Sequence, residues 1–248
     1  MPENSKPRRI RRTNKDLRQD IINAATELIE ENGFADASLM RIVKKAKIEA
    51  IVFHRHFGNL DEFMDEYVRQ YDYWFSDIVD SCDSELYSRK GYRNIIHGLF
   101  DDLSGNVIMQ RLLKWELSSD NPTTRRTADL REHHTMPLTR NFQQVFSDTD
   151  FDIEAVSALI IGGIYYLVLH RDMATFSGID VGETEGKQKI HRAIDSLSDM
   201  FFSRLQERRQ KRQMVLRMKE VGLSDDQIAY VLKIPVEELL VNNANPES

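Results

Sequence analysis

The residues best equipped for chemistry are cations, and they gather at one end. Residues 1–57 hold twelve Lys or Arg against eight Asp or Glu, whereas the 248-residue chain as a whole carries −6. A basic end on an acidic body suits a protein that presents that end to a polyanion, although a tail that merely solubilises has the same signature. Lys6, Arg8, Arg9, Arg11 and Arg12 make residues 1–13 a basic arm with little apolar content, expected to be disordered. Arg41, Lys44, Lys45, Lys47 and Arg55 follow in the next stretch. Arg55 is able to donate two bonds to a guanine edge, or else to face solvent or pair with Glu49 or Asp61. Other chemistries find little footing. There is no Gly-rich phosphate loop, nucleophile elbow or zinc-spaced ligand set. His133 and His134 are adjacent, which on a helix turns them about 100° apart. Cys82 is the single cysteine, with no partner nearby in sequence. No catalytic residue, metal or cofactor is assigned, and the chain is not expected to be an enzyme.

Positioning such cations needs rigid short elements, and the pattern supplies helices. Gly and Pro number only 11 and 6, and no β alternation of useful length occurs. Leu17, Ile21, Ala24, Ala25, Leu28 and Ile29 form one helical stripe, capped by Thr13 or Asn14 and ended by Gly33. Ser38 caps a short helix with Ile42, Val43 and Ala46 on its apolar side. A second short helix runs from Ala50 to His56 and stops at Gly58-Asn59. A long first helix and two short ones around a tight turn make a helix-turn-helix, whose second short helix must enter a major groove about 12 Å wide.

The stretch from Arg18 to Phe63 resembles the DNA-binding domain of the TetR family of one-component regulators. The resemblance rests on Ile21-Ile22-Asn23-Ala24-Ala25, Leu28-Ile29, Gly33-Phe34, Ser38, Ile42-Val43, Ala46-Lys47-Ile48-Glu49 and Phe53-His54-Arg55-His56-Phe57. It implies DNA contacts from Ser38, Glu49, Ala50, Val52, Phe53, His54 and His56, to which Arg41, Lys47 and Arg55 are added as cations. Phe53 and Phe57 are weighted toward the core. Five positions depart from the family pattern, one of them His54 where the pattern has Tyr. Lys47 and Ile51 replace glycines, Glu49 replaces a capping Ser, and Leu60 replaces a Lys that meets phosphate. Lys47 is therefore expected to hold a left-handed backbone.

The resemblance implies an all-α chain, with a three-helix domain over 14–59 and a helical ligand-binding and dimerisation domain over 60–208; a C-terminal helical appendage over 209–243 lies outside the family core. Long helices are expected over 60–87, 92–104, 106–119, 123–147, 152–176 and 185–221, with a kink at Pro137. Small residues Ala155, Ala158, Gly162 and Gly163 permit close helix approach. Ala158 and Gly162 with Ile190, Ile194, Leu197 and Phe201 are the candidate dimer interface, or else internal core. Tyr71, Trp74, His97, Phe100, Trp115, Tyr165, Tyr166 and His170 are candidates for an effector pocket, with ordinary packing the commoner fate of each. Residues 214–240 resemble a small helix-turn-helix-like unit at the end of some transposase-related proteins. Glu237 and Glu238 oppose DNA contact there, so the unit is read as a docking or dimer-stabilising appendage. The partners expected are a palindromic DNA operator, an unidentified small molecule and a second copy, with no membrane. The longest apolar run, Ala158 to Leu169, falls short of the ~20 residues of a membrane span, and a polar N-terminus with a lone cysteine suits a cytoplasmic protein. Ligand-controlled transcription, with repression as the usual mode in the family, is the leading reading. A TetR-like dimer working through protein partners is the alternative.

Overall fold

Thr13 begins the first described helix as a reciprocal cap: its hydroxyl accepts from the Asp16 backbone and the Asp16 carboxylate accepts from the Thr13 backbone. The computed structural model describes residues 13–81 and 85–236. The basic arm, Cys82 and the end of the appendage lie outside them. The described helices are α1 (Asn14–Asn32), α2 (Leu39–Ala46), α3 (Ala50–Phe57), α4 (Leu60–Val68), α5 (Trp74–Asp80), α6 (Arg89–Gly105), α7 (Val107–Ser118), α8 (Pro122–Val145), α9 (Ile153–His170), α10 (Thr184–Glu220) and α11 (Asp225–Leu232). Short 3-10 turns cover Phe34–Asp36 and Arg69–Tyr71. Among the described residues the chain forms no strand beyond an isolated bridge between Phe176 and Ile179.

The chain divides into two compact units. Of the described residues, those up to Trp74 with Leu103–Glu132 form the first, and Phe75–Asp102 with those from His133 onward form the second. In the first, the expected stripe of α1 is the buried one: Ile21, Ala24, Ala25, Leu28 and Ile29. Phe34 stacks flat on Trp115, with centroids 4.8 Å apart. The Arg111 guanidinium donates to the Glu30 and Glu31 carbonyls at the end of α1, where backbone acceptors lack helical partners.

Three expectations for the helices need correction. The helix expected over 60–87 is broken. Its apolar period is continuous, but α4 gives way to the Arg69–Tyr71 turn, pinned where Arg126 donates to Asp65 at 2.6 Å and to Asp72 at 2.8 Å. The helix expected to reach 176 ends at His170. Beyond it Ser177 and Gly178 both take positive φ, and Phe176 and Ile179 exchange backbone bonds across this two-residue turn. Ser38 occupies the cap position of α2, but its side chain makes no capping bond. Pro137 lies inside α8, which continues through it to Val145.

Candidate nucleic-acid interface

The two short helices are held from behind by apolar contact. Ile42, Val43 and Ala46 of α2 are buried, as are Phe53 and Phe57 of α3. Phe53 packs on Phe57 and Phe63 at centroid distances of 5.6 and 5.3 Å, and Phe57 meets Phe63 edge-on at 4.8 Å. Phe53 is 0% exposed, which removes it from the DNA-facing set: a side chain enclosed by this cluster presents nothing to a groove. Lys45 ties α2 to α1 through Glu27 and Glu31, each at 3.0 Å. The Arg18 guanidinium covers the Phe57 ring, 4.5 Å from its centroid, and pairs with Glu66.

The turn between α2 and α3 is made by Lys47, at φ 54° and ψ 50°. This left-handed conformation costs a residue with a Cβ roughly 1–2 kcal/mol. It lets the Ile48 amide reach back to the Val43 carbonyl at 3.0 Å, which sets the angle at which α3 departs. Glu49 then sits at the N-cap of α3 without a side-chain bond, so the helix start lacks the usual donor satisfaction.

What remains outward is a mixed surface. Ser38, Arg41, Lys47, Glu49, His54 and Arg55 are exposed, while Ala50, Val52 and His56 are half-buried. Arg41 pairs with Asp36. Arg55 pairs with no acid among the described residues, so the pairing with Glu49 or Asp61 does not form. His54 Nδ1 donates to the Gly58 carbonyl, which closes the C-terminal end of α3. Two apolar side chains share this face: Met40 is 70% exposed and Ile51 61%.

The residues proposed for the body fall in both units. In the first, Trp115 is taken up by Phe34, Tyr71 lies against Tyr67 at 6.5 Å, and Trp74 is buried. In the second, Phe100 is buried with its edge to His191, Tyr165 is half-buried, and exposed Tyr166 stacks on His170 at 5.0 Å. The small-residue face of α9 is exposed along Ala155, Ala158, Leu159, Gly162, Gly163 and Tyr166. Nothing lies within 4 Å of a Cβ built on either glycine. The stripe named for α10 faces the other way. Ile190, Ile194 and Phe201 are buried within the protomer, because their 3.6-residue period marks the helix's core side. Leu197 is half-buried, and Ala193, Ser196 and Met200 make up the outward side. By length and composition α9 is the one helix among the described residues apolar enough to cross a membrane, and only 17% of it is buried.

A constellation that the sequence reading touched only at His97 joins α6 to α10. Arg89, Arg93, His97 and Asp101 recur every four residues on α6, and His191, Asp195 and Asp199 do so on α10. Their contacts alternate between helices. Arg93 pairs with Asp199 at 2.7 Å and Asp195 at 3.0 Å, and His97 Nε2 lies 3.1 Å from Asp195. The two Nδ1 atoms of His97 and His191 are 2.9 Å apart, and His191 Nε2 is 2.8 Å from Asp101. Only one proton fits between the Nδ1 atoms, so full protonation of both rings sets N–H against N–H. Burial, then His191, holds the His97 imidazole below its ordinary value. The four-residue spacing of mixed charges on two helices was the available signal. The second unit also has an open groove of about 460 Å³, where Arg89, Arg209, Gln206 and Gln210 rim a floor of Phe202 and Leu205.

Comparison with known proteins gives a consistent result. The family described as bacterial regulatory proteins, tetR family, matches residues 21–67, which span most of α1 through α4. The HTH-type transcriptional regulator BetI 2 of Chromohalobacter salexigens is 28% identical over 190 residues, 73% of this chain and 87% of its own. BetI 1 of the same organism is 30% identical over 44% of this chain and 56% of its own. Among solved structures, a TetR-like transcriptional regulator from Rhodococcus sp. RHA1 superposes with a TM-score of 0.53 at 16% identity, covering 76% of this chain and 96% of that one. A TetR family protein from Vibrio parahaemolyticus gives 0.50 at 18% identity over 73% and 97%. These structures speak to the fold.

Proposed function

For a chain that belongs to the TetR family of bacterial transcriptional regulators, we propose a cytoplasmic homodimer that binds a palindromic operator and is released, as a repressor, by a small-molecule effector. The observation that carries this reading is the exposed end of α3. Arg55 and His54 stand outward from a helix whose other side is locked by Phe53 and Phe57, so the backbone that presents them to a base edge or phosphate is already fixed. The unpaired face of α9 supports the dimer. Leu159 is 76% exposed beside Gly162 and Gly163, and with Ala193, Leu197 and Met200 of α10 it offers two helices per protomer for a four-helix interface. Two copies would set two reading heads to two half-sites. The α6–α10 ladder and the groove beside Arg89 and Arg209 are the places where a polar effector finds charged and amide partners.

The experiment is selection of bound genomic fragments, followed by titration of the preferred site at two salt concentrations. A regulator gives a recurring palindrome and a steep fall of affinity with salt. Glu49 and Ile51 favour a second reading, in which a TetR-like dimer acts through protein partners. An anion at the start of α3 and an apolar side chain beside it both oppose phosphate contact. Absence of any preferred site at low salt selects that reading.

A further inference from the structure

The turn that aims α3 occurs twice in this chain. Ser38 precedes the eight residues of α2, and Ser224 precedes the eight residues of α11. Each helix ends on a lysine in the left-handed region, Lys47 at φ 54°, ψ 50° and Lys233 at φ 53°, ψ 46°. The backbone bonds coincide. Lys47 donates to Lys44 and Ile48 to Val43 at 3.3 and 3.0 Å, and Lys233 donates to Tyr230 and Ile234 to Ala229 at 3.3 and 3.1 Å. Buried Ile42 and Val43 have buried Ile228 and Ala229 as counterparts. The second copy has its own small core, in which Met218, Leu223, Leu232 and Ile234 close over Val215, Ile228 and Ala229. Residues 215–236 thus repeat the first short helix of the helix-turn-helix and the turn that follows it, on a small core of their own.

Its outward face has the opposite chemistry. Lys44 and Lys45 of α2 correspond to Tyr230 and Val231 of α11, which are 86% and 53% exposed. Arg41 corresponds to Gln227, and the residues after Val236 begin with Glu237 and Glu238. Lys233 keeps the turn lysine that Lys47 supplies, but Arg41, Lys44 and Lys45 all lose their charge, so this face suits DNA less well than the first. Exposed aromatic and β-branched side chains on a rigid helix suit a protein surface. Continuity points to which one. The unit is the end of α10, the helix whose outward Ala193 and Met200 belong to the proposed dimer face. Met214, 46% exposed, lies fourteen residues beyond Met200, close to four whole turns and so near the same line.

We propose that this repeated helix and turn is a dimerisation element that docks, through Tyr230 and Val231, on a second copy of this chain. The inference rests on the dimer reading above. The test uses the full-length chain with Tyr230→Lys and Val231→Lys together, which restores the residue types of α2. Both positions are exposed, and helical content by circular dichroism reports folding. The dimer dissociation constant is read from sedimentation over a dilution series, with Gln70→Lys/Gln19→Lys as a charge-matched control. The expected result is a constant raised roughly tenfold or more in the double variant and unchanged in the control. A dimeric wild type whose constant the double variant leaves unmoved overturns this inference alone. A gain in DNA affinity with an unmoved constant also overturns it, in favour of a nucleic-acid role. A wild type that is monomeric throughout overturns both this inference and the dimer reading.

Discussion

Replacing Lys47 by glycine separates the two things this residue does. Its backbone sits at φ 54° with a Cβ attached, a cost of roughly 1–2 kcal/mol that glycine does not incur. Glycine in turn loses more chain entropy on folding, about 0.5–1 kcal/mol. The net is a stabilisation of roughly 0.5–1 kcal/mol. In a chain of this size that raises the thermal midpoint by about 1–4 °C. The side chain is exposed and cationic, so its removal weakens DNA binding. If Lys47 meets one phosphate, the salt slope falls by about 0.9 per protomer, or about 1.8 for a dimer on its operator. Lys47→Ala is the paired control, because it removes the same charge and keeps the strained backbone. The assays are thermal unfolding at fixed protomer concentration and operator titration across a salt series. A glycine variant whose midpoint falls, or an alanine variant whose midpoint rises equally, refutes the strain argument. An unchanged salt slope in both refutes the phosphate contact.

Further outcomes follow from the same geometry. Phe53→Ala empties the centre of the Phe57–Phe63 cluster and should cost about 3–5 kcal/mol, read as a lower urea midpoint. Arg55→Ala should relax base preference by roughly 1–3 kcal/mol in competition with a shuffled site while leaving the thermal midpoint in place; an unaltered preference removes Arg55 from base readout. Leu159→Glu should convert the dimer to monomer in sedimentation, and a variant still dimeric would move the interface off α9. His97 binds a proton less readily folded than unfolded, so its contribution is complete above about pH 6.5 and is lost as pH falls through its depressed value. Stability should therefore decline on mild acidification, less so in His97→Gln, and an equal decline in both refutes the assignment.

The apolar spacing of α1 and α2 and the glycine after α3 were enough to place the reading head, because each helix there has one buried stripe and a local stop signal. The left-handed turn at Lys47 was legible too, from a lysine standing where the family pattern has glycine. The helix expected over 60–87 was misjudged for a reason no local pattern carries: Arg126, more than fifty residues on, holds the break. The stripe of α10 shows a different limit. Ile190, Ile194 and Phe201 are periodic whether their partner lies inside the protomer or on another copy, so periodicity alone cannot choose between them. The α6–α10 ladder went unseen because each helix, taken singly, reads as an ordinary solvated charge run.

That ladder also limits how one helix can travel past the other. Its rungs repeat every four residues, so an axial shift of α6 along α10 meets no intermediate register in which the charges pair, and the next candidate lies about 6 Å away. The two directions are unequal. One carries Asp195 between Arg89 and Arg93 but brings His191 to Arg93, and the other carries Asp199 toward His97 but sets Asp195 beside Asp101. The helix pair therefore has one register in which the whole ladder pairs, and the registers on either side of it are poorer.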